Sequence, residues 1–139
     1  MQIRPGERFS SEVTLTPASV AQFARLVGDD NPIHYDAAYA LRTRYGRVIA
    51  SGTQTTALLL ALTASYFSKR GAMVGLEFWQ CFRRPVFANE RIRLEWLVVR
   101  VTPNPRLGGD VVELRGRIKG SDDRTAVGAK GRVLVAKVL

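Results

Sequence analysis

The sequence contains one cysteine, Cys81, and one histidine, His34. A single cysteine cannot close an internal disulfide and fits a reducing interior. Long apolar runs are also missing. The longest, near Ala57 to Phe67, is too short and too polar at its edges to span a bilayer, and the start Met1-Gln-Ile-Arg-Pro-Gly-Glu lacks the apolar centre of a signal peptide. These absences lead to the expectation of a cytoplasmic protein with no membrane partner. There is no internal repeat and no low-complexity tract. Acidic residues are few: 12 Asp and Glu stand against 21 Lys and Arg, a formal charge of +9. That surplus favours polyanions, among them nucleic acid and the phosphates of coenzyme A. The basic residues are scattered, however, and there is no zinc-finger spacing, ribonucleoprotein aromatic motif or basic helix, so a nucleic-acid partner is not expected.

What is present is a chain of 139 residues, 46% hydrophobic and 24% charged. It is long enough to bury a core and suits one soluble globular domain over residues 1–139. The alternation around Phe9 and Glu12 to Leu15 predicts an opening strand over Glu7 to Leu15. Thr16-Pro17 is a helix start, with a hydroxyl at the N-cap and proline at the first helical position. On the helix that follows, Val20, Phe23, Ala24 and Val27 fall at i, i+3, i+4 and i+7 and mark a buried face. A short helix capped by Asp36 is expected over Ala37 to about Arg42, then an extended Val48-Ile49-Ala50. A longer helix should begin at Gly52 and run to Arg70, closed by Gly71; its middle is apolar all round, which predicts burial in the core. From Ala72 four strands should meander to the end, broken at Pro85 to Asn89, Pro103 to Gly109 and Gly120 to Asp123. Ile92, Leu94, Trp96 and Val98 alternate with more polar neighbours, and Glu113, Arg115, Arg117 and Lys119 oppose Leu114 and Ile118, the mark of a sheet with one covered face. An α+β domain with a long helix packed on an antiparallel sheet follows.

Between the first two helices lies Gly28-Asp29-Asp30-Asn31-Pro32-Ile33-His34. Pro32 fixes its own φ and pushes Asn31 out of the α region, and Gly28 with the Asp/Asn run favours a loop. A structured, non-helical loop should therefore present the only histidine five positions after Asp29. As bare residue types these could be an ordinary capped turn.

The longer string Phe23-Ala-Arg-Leu-Val-Gly-Asp-Asp-Asn-Pro-Ile-His-Tyr-Asp-Ala-Ala-Tyr39 resembles the signature of the MaoC-like (R)-specific enoyl-CoA hydratases and dehydratases, with Val27 in place of the usual small residue. Phe82-Arg-Arg-Pro-Val-Phe-Ala-Asn-Glu-Arg91 resembles a second family segment, with Asn89-Glu90 where Gly-Asp is usual. The resemblance covers about Pro17 to Val101. It implies a single hot-dog domain, an antiparallel curved sheet wrapped around a long central helix, that interconverts trans-2-enoyl and (R)-3-hydroxyacyl thioesters of coenzyme A or acyl carrier protein. It further implies that Asp29 and His34 hold a catalytic water, and that no metal or redox cofactor is required.

That chemistry needs an acid, a base and a donor for charge on the thioester oxygen. The backbone N–H of Gly52, at a helix start, is the candidate donor. Asn31 is expected to orient the loop or bond its neighbouring carboxylate. Ser51, Arg83 and Arg84 are candidate substrate contacts, the arginines for phosphates or an acidic carrier. Trp79, Trp96, Phe78 and Phe82 are expected in the core or at a subunit interface, and Cys81 as a small buried side chain. Ala50-Ser51-Gly52-Thr53-Gln54-Thr55 resembles a family branch reading Ala-Ser-Gly-Trp-His-Thr, with Thr53 and Gln54 departing from it. Leu60 stands where some members carry a serine that supports the aspartate, so support for Asp29 must come from elsewhere. The resemblance also implies a homodimer or higher oligomer. A hot-dog thioesterase and a catalytically silent acyl-thioester or carrier-binding module are the alternatives.

Overall fold

The computed structural model describes residues 2–139. After the first strand, β1 (Arg8–Thr14), Thr16 opens α1 (Pro17–Leu26), its hydroxyl accepting the Ser19 N–H at 3.1 Å. Val20 and Ala24 are fully buried, as their spacing predicts, but Ala21 joins them while Val27 is 47% exposed. Val27 is the C-cap, where the chain has already left helical geometry, so the periodicity no longer fixes where its side chain lies. Asp36 caps α2 (Ala37–Leu41) through the Tyr39 N–H at 3.0 Å. Ser51 caps α3 (Gly52–Phe67) in the same way through Gln54. Such caps satisfy amides that a helix start leaves orphaned, worth about 1 kcal/mol each.

Four strands follow, β2 (Ala72–Phe82), β3 (Arg91–Asn104), β4 (Gly109–Lys119) and β5 (Thr125–Ala136). All ladders are antiparallel, in the order β1-β3-β4-β5-β2, so β1 and β2 are the edges. Pro103, expected in a break, lies inside β3 and pairs with Asp110. β1 pairs with β3 only as far as Leu97, so beyond that point β3 has one free side and loses no ladder bond to proline.

The face carrying Ile92, Leu94, Trp96, Val98, Val112, Leu114, Ile118, Val127, Val133 and Val135 is buried against α3. Trp96 is 2% exposed and donates its indole N–H to the Leu59 carbonyl at 3.0 Å, tying sheet to helix. Gly116 is what leaves room for that ring: a Cβ there would lie 2.4 Å from Trp96 Cε3. The helix is less buried than its all-apolar middle suggests. Thr55, Leu59, Thr63 and Phe67 form the stripe on the sheet, whereas Ala61, Ala64 and Ser65 are exposed. Helix α3 also ends three residues short of Arg70, whose side chain turns back to Glu7.

Candidate active site

The polar loop is built by the end of α1. Gly28 takes a φ of +77°, a conformation that favours glycine, and the amide of Asp29 donates back to Ala24 O at 2.8 Å. The loop is more regular than expected, since Pro32–His34 forms a single 3-10 turn capped by Asn31. Proline at the first position of a turn loses no hydrogen bond there, so Pro32, expected to keep the segment non-helical, instead starts a 3-10 turn. The side chain of Asn31 accepts the Ile33 N–H at 3.3 Å, and its backbone N–H donates to Asp29 Oδ1 at 3.0 Å. Asn31 thus both orients the loop and holds the carboxylate, the second through its main chain. Where Leu60 offers no hydroxyl, this amide supports Asp29.

His34 is 6% exposed. Its Nδ1 lies 2.8 Å from the carbonyl of Ile49, and the Ile49 N–H reaches Ile33 O at 3.3 Å. A carbonyl can only accept, so Nδ1 carries the proton and Nε2 is the nitrogen left for exchange. Nε2 stands 3.4 Å from Asp29 Oδ2. The Val48–Ala50 segment that holds the ring is itself strapped to the segment after β2, by a bridge of Ile49 with Phe87 and by the Ala50 N–H to Val86 O at 2.8 Å.

His34, Gly52, Arg83 and Arg84 border one cavity of about 300 Å³, together with Tyr45, Ile49, Ala50, Thr55, Phe82 and Val127. Gly52 is the first residue of α3, so its N–H has no acceptor within the helix and sits in the positive end of the helix dipole. The missing side chain matters here, because a Cβ on Gly52 would lie 2.9 Å from the Phe82 ring. Ser51 does not border the cavity: it is 1% exposed and its hydroxyl is taken by the cap. Arg83 and Arg84 are exposed at the rim, and neither makes an ion pair among the described residues. A wider hollow of about 590 Å³ lies on the outer face of the sheet and shares Arg83, but it contains none of Asp29, His34 or Gly52.

Sequence reading missed Phe82 as a cavity wall. Phe82 is 57% exposed and Trp79 51%, whereas Trp96 is in the core as expected. Cys81 is only half-buried. The meeting of Gly52 with Phe82 joins two elements thirty residues apart, and no local pattern announces it.

The arrangement sets an imidazole and a carboxylate together at a pocket that His34 borders and Asp29 does not, with the Gly52 N–H of the helix start in its wall. Known proteins share this scaffold. The family profile described as MaoC like domain matches residues 2–115. A 3-hydroxybutyryl-CoA dehydratase of Methylorubrum extorquens is 32% identical over 92 residues, 66% of this chain and 58% of that one. An (R)-specific enoyl-CoA hydratase of Aeromonas caviae is 33% identical over 78 residues, 56% of this chain. The matched segments span 58% of the length of both curated relatives. The solved structure of an A. caviae (R)-hydratase involved in PHA biosynthesis superposes with a TM-score of 0.87 at 26% identity, covering 96% of this chain and 97% of that one. A protein from Archaeoglobus fulgidus gives 0.82 at 28%, covering 97% and 80%. The five-stranded sheet and its helix are thus the hot-dog fold, and the chain belongs to the MaoC-like domain family.

Proposed function

We propose that this chain is a hydro-lyase that interconverts trans-2-enoyl and (R)-3-hydroxyacyl thioesters. The observation that carries the reading is Asp29 Oδ2 at 3.4 Å from the free nitrogen of His34, next to a cavity bordered by Gly52 at the start of α3. Water held by the pair loses a proton to one member as its oxygen bonds C3, and C2 receives a proton from the other. Electron density moving onto the thioester oxygen is met by the Gly52 N–H. Dehydration is the reverse. Both of these relatives have coenzyme A in their names, which supports a coenzyme A thioester, with a carrier-protein thioester as the other form. Arg83 and Arg84 border the cavity, which supports their meeting the phosphates of the substrate.

The reading extends to the whole of residues 1–139 as one such domain acting in the cytoplasm, and to a homodimer. Edge strand β2 exposes the apolar side chains of Val74, Leu76 and Trp79, which a second copy would cover. Chiral analysis of the product formed from crotonyl-CoA tests the activity. (R)-3-hydroxybutyryl-CoA is expected. Release of free coenzyme A would indicate a thioesterase, and binding without turnover would indicate a silent acyl-thioester module.

A further inference from the structure

We infer that the outer face of the sheet carries a binding site for a nucleotide bearing two or more phosphates. Basic residues that lie scattered along the sequence are gathered there by strand pairing. Across the five strands, directly paired positions run Arg8, Leu97, Arg115, Lys130 and Trp79. Two residues along each strand the same face holds Glu95, Arg117 and Gly128, because alternate side chains share a face. The hollow of about 590 Å³ spans these rows, and Arg83 and Arg93 border it as well. Its volume is that of a small-molecule site.

The one acid bordering the hollow, Glu95, is already held by Arg117 at 3.0 Å and Arg93 at 3.6 Å. In the row beyond, Glu77 is taken by Arg132 at 2.8 Å and Glu113 by Arg100 at 3.6 Å. Arg8, Arg83, Arg115 and Lys130 make no ion pair among the described residues. Arg115 and Lys130 stand directly opposite each other on β4 and β5, where like charges cost stability. They are one strand spacing apart, about 5 Å, so both can reach one diphosphate. Gly128 leaves the floor beside them open, and Arg83 lies over it with Nε 3.5 Å from where a Cβ would stand. Such a cluster favours a multiply charged anion. Trp79, 51% exposed, forms the wall at this end, with the Lys130 ammonium 5.5 Å from its ring centroid. An aromatic wall beside clustered cations suits a base joined to phosphates better than an inorganic anion. A second copy along the β2 edge would cover the side of the ring away from β5, and the Lys130 side stays in the hollow.

The site stands on the sheet face alone and does not depend on the hydratase reading. Because Arg83 also borders the cavity of His34 and Gly52, two sources supply this chemistry: the nucleotide end of coenzyme A and a free nucleotide.

The test titrates ADP, coenzyme A and inorganic pyrophosphate into the wild-type chain, Arg115→Gln and Lys130→Gln, by calorimetry and tryptophan fluorescence. Of the two tryptophans Trp96 is buried, so a quench reports Trp79. ADP should quench the fluorescence and bind more tightly than pyrophosphate, and each variant should weaken it by about tenfold, the scale of losing a hydrogen bond to a charged group. Arg115→Gln should melt no lower than wild type, since it removes a repulsion across the ladder. If coenzyme A displaces ADP and the variants weaken both, the site takes the nucleotide end of the thioester. If the variants weaken ADP and bind coenzyme A as wild type does, it takes a free nucleotide. No binding of ADP at millimolar concentration, or equal binding by wild type and both variants, would overturn the inference. Pyrophosphate binding as tightly as ADP would overturn it too, leaving a patch for any anion.

Discussion

Asp29 and His34 stand 3.4 Å apart because other groups hold them. The carboxylate is fixed from behind by the Asn31 N–H at 3.0 Å, and the ring by the Ile49 carbonyl at 2.8 Å, which sets its tautomer. The residue types alone fit an ordinary capped turn; it was the resemblance of the Gly28–His34 string to the MaoC-like signature that singled out these two side chains. Their supports were not legible, because both are main-chain groups and any residue type supplies those. A second residue-scale arrangement concerns Glu7, which accepts from Tyr66, Arg70 and the Arg4 N–H. Burial pushes the Glu7 carboxyl up, but the hydrogen bonds from Arg70 and Tyr66, the Arg4 amide and the Arg70 charge together outweigh it and leave it below its ordinary value of 4.5. A depressed carboxylate contributes stability above its unfolded value, and that contribution is lost as pH falls through the lower folded value. Glu7→Gln should therefore destabilise the chain at neutral pH by about 1.5–3 kcal/mol, the range for hydrogen bonds to a charged group. Denaturant melts of the variant should converge on wild type below pH 4.5. A constant difference across that range would remove the ion-pair account.

Among the elements, α3 joins fold and site. Its N-terminus borders the cavity, its middle carries the Leu59 carbonyl bonded by Trp96, and its last turn brings Tyr66 to stack on Phe9 with centroids 3.9 Å apart. The start of this helix could be read from Ser51-Gly52. How much of it the sheet covers could not, because an all-apolar run does not say which faces have neighbours. Gly52→Ala should keep its helical circular dichroism, alanine being favourable in a helix. Its Cβ presses on the Phe82 ring and narrows the approach to the backbone donor. A fall in kcat/KM of about tenfold or more is expected, on the scale of impairing one oxyanion donor. Full activity would mean that the thioester does not approach at Gly52. In β4, Gly116→Ala would drive a methyl into the buried Trp96 ring. A loss of about 1–3 kcal/mol in a thermal or urea melt is expected for overpacking of this kind. The alternation of β3 announced Trp96 as a core residue, but the need for glycine opposite it appears only once the register is known.

For the whole molecule, the α+β class and the four late strands followed from period-two patterns. The strand order did not, since any strand with one apolar face can pair with any other. That order leaves β2 as an edge of eleven residues with Leu76 at a bulge between Gly75 and Glu77. Size-exclusion chromatography with light scattering should give a dimer, and Val74→Lys should shift it toward monomer, because a charge on an edge strand opposes pairing. A wild-type monomer would contradict the edge-paired assembly.

In the proposed reaction Asp29 and His34 together move the protons of a hydration. Its most direct test follows the loss of enoyl-thioester absorbance on mixing crotonyl-CoA with wild type, Asp29→Asn and His34→Ala. Both variants should be folded and slower by about a hundredfold or more, the scale of losing a positioned acid or base. Wild-type rates in either folded variant would contradict the account.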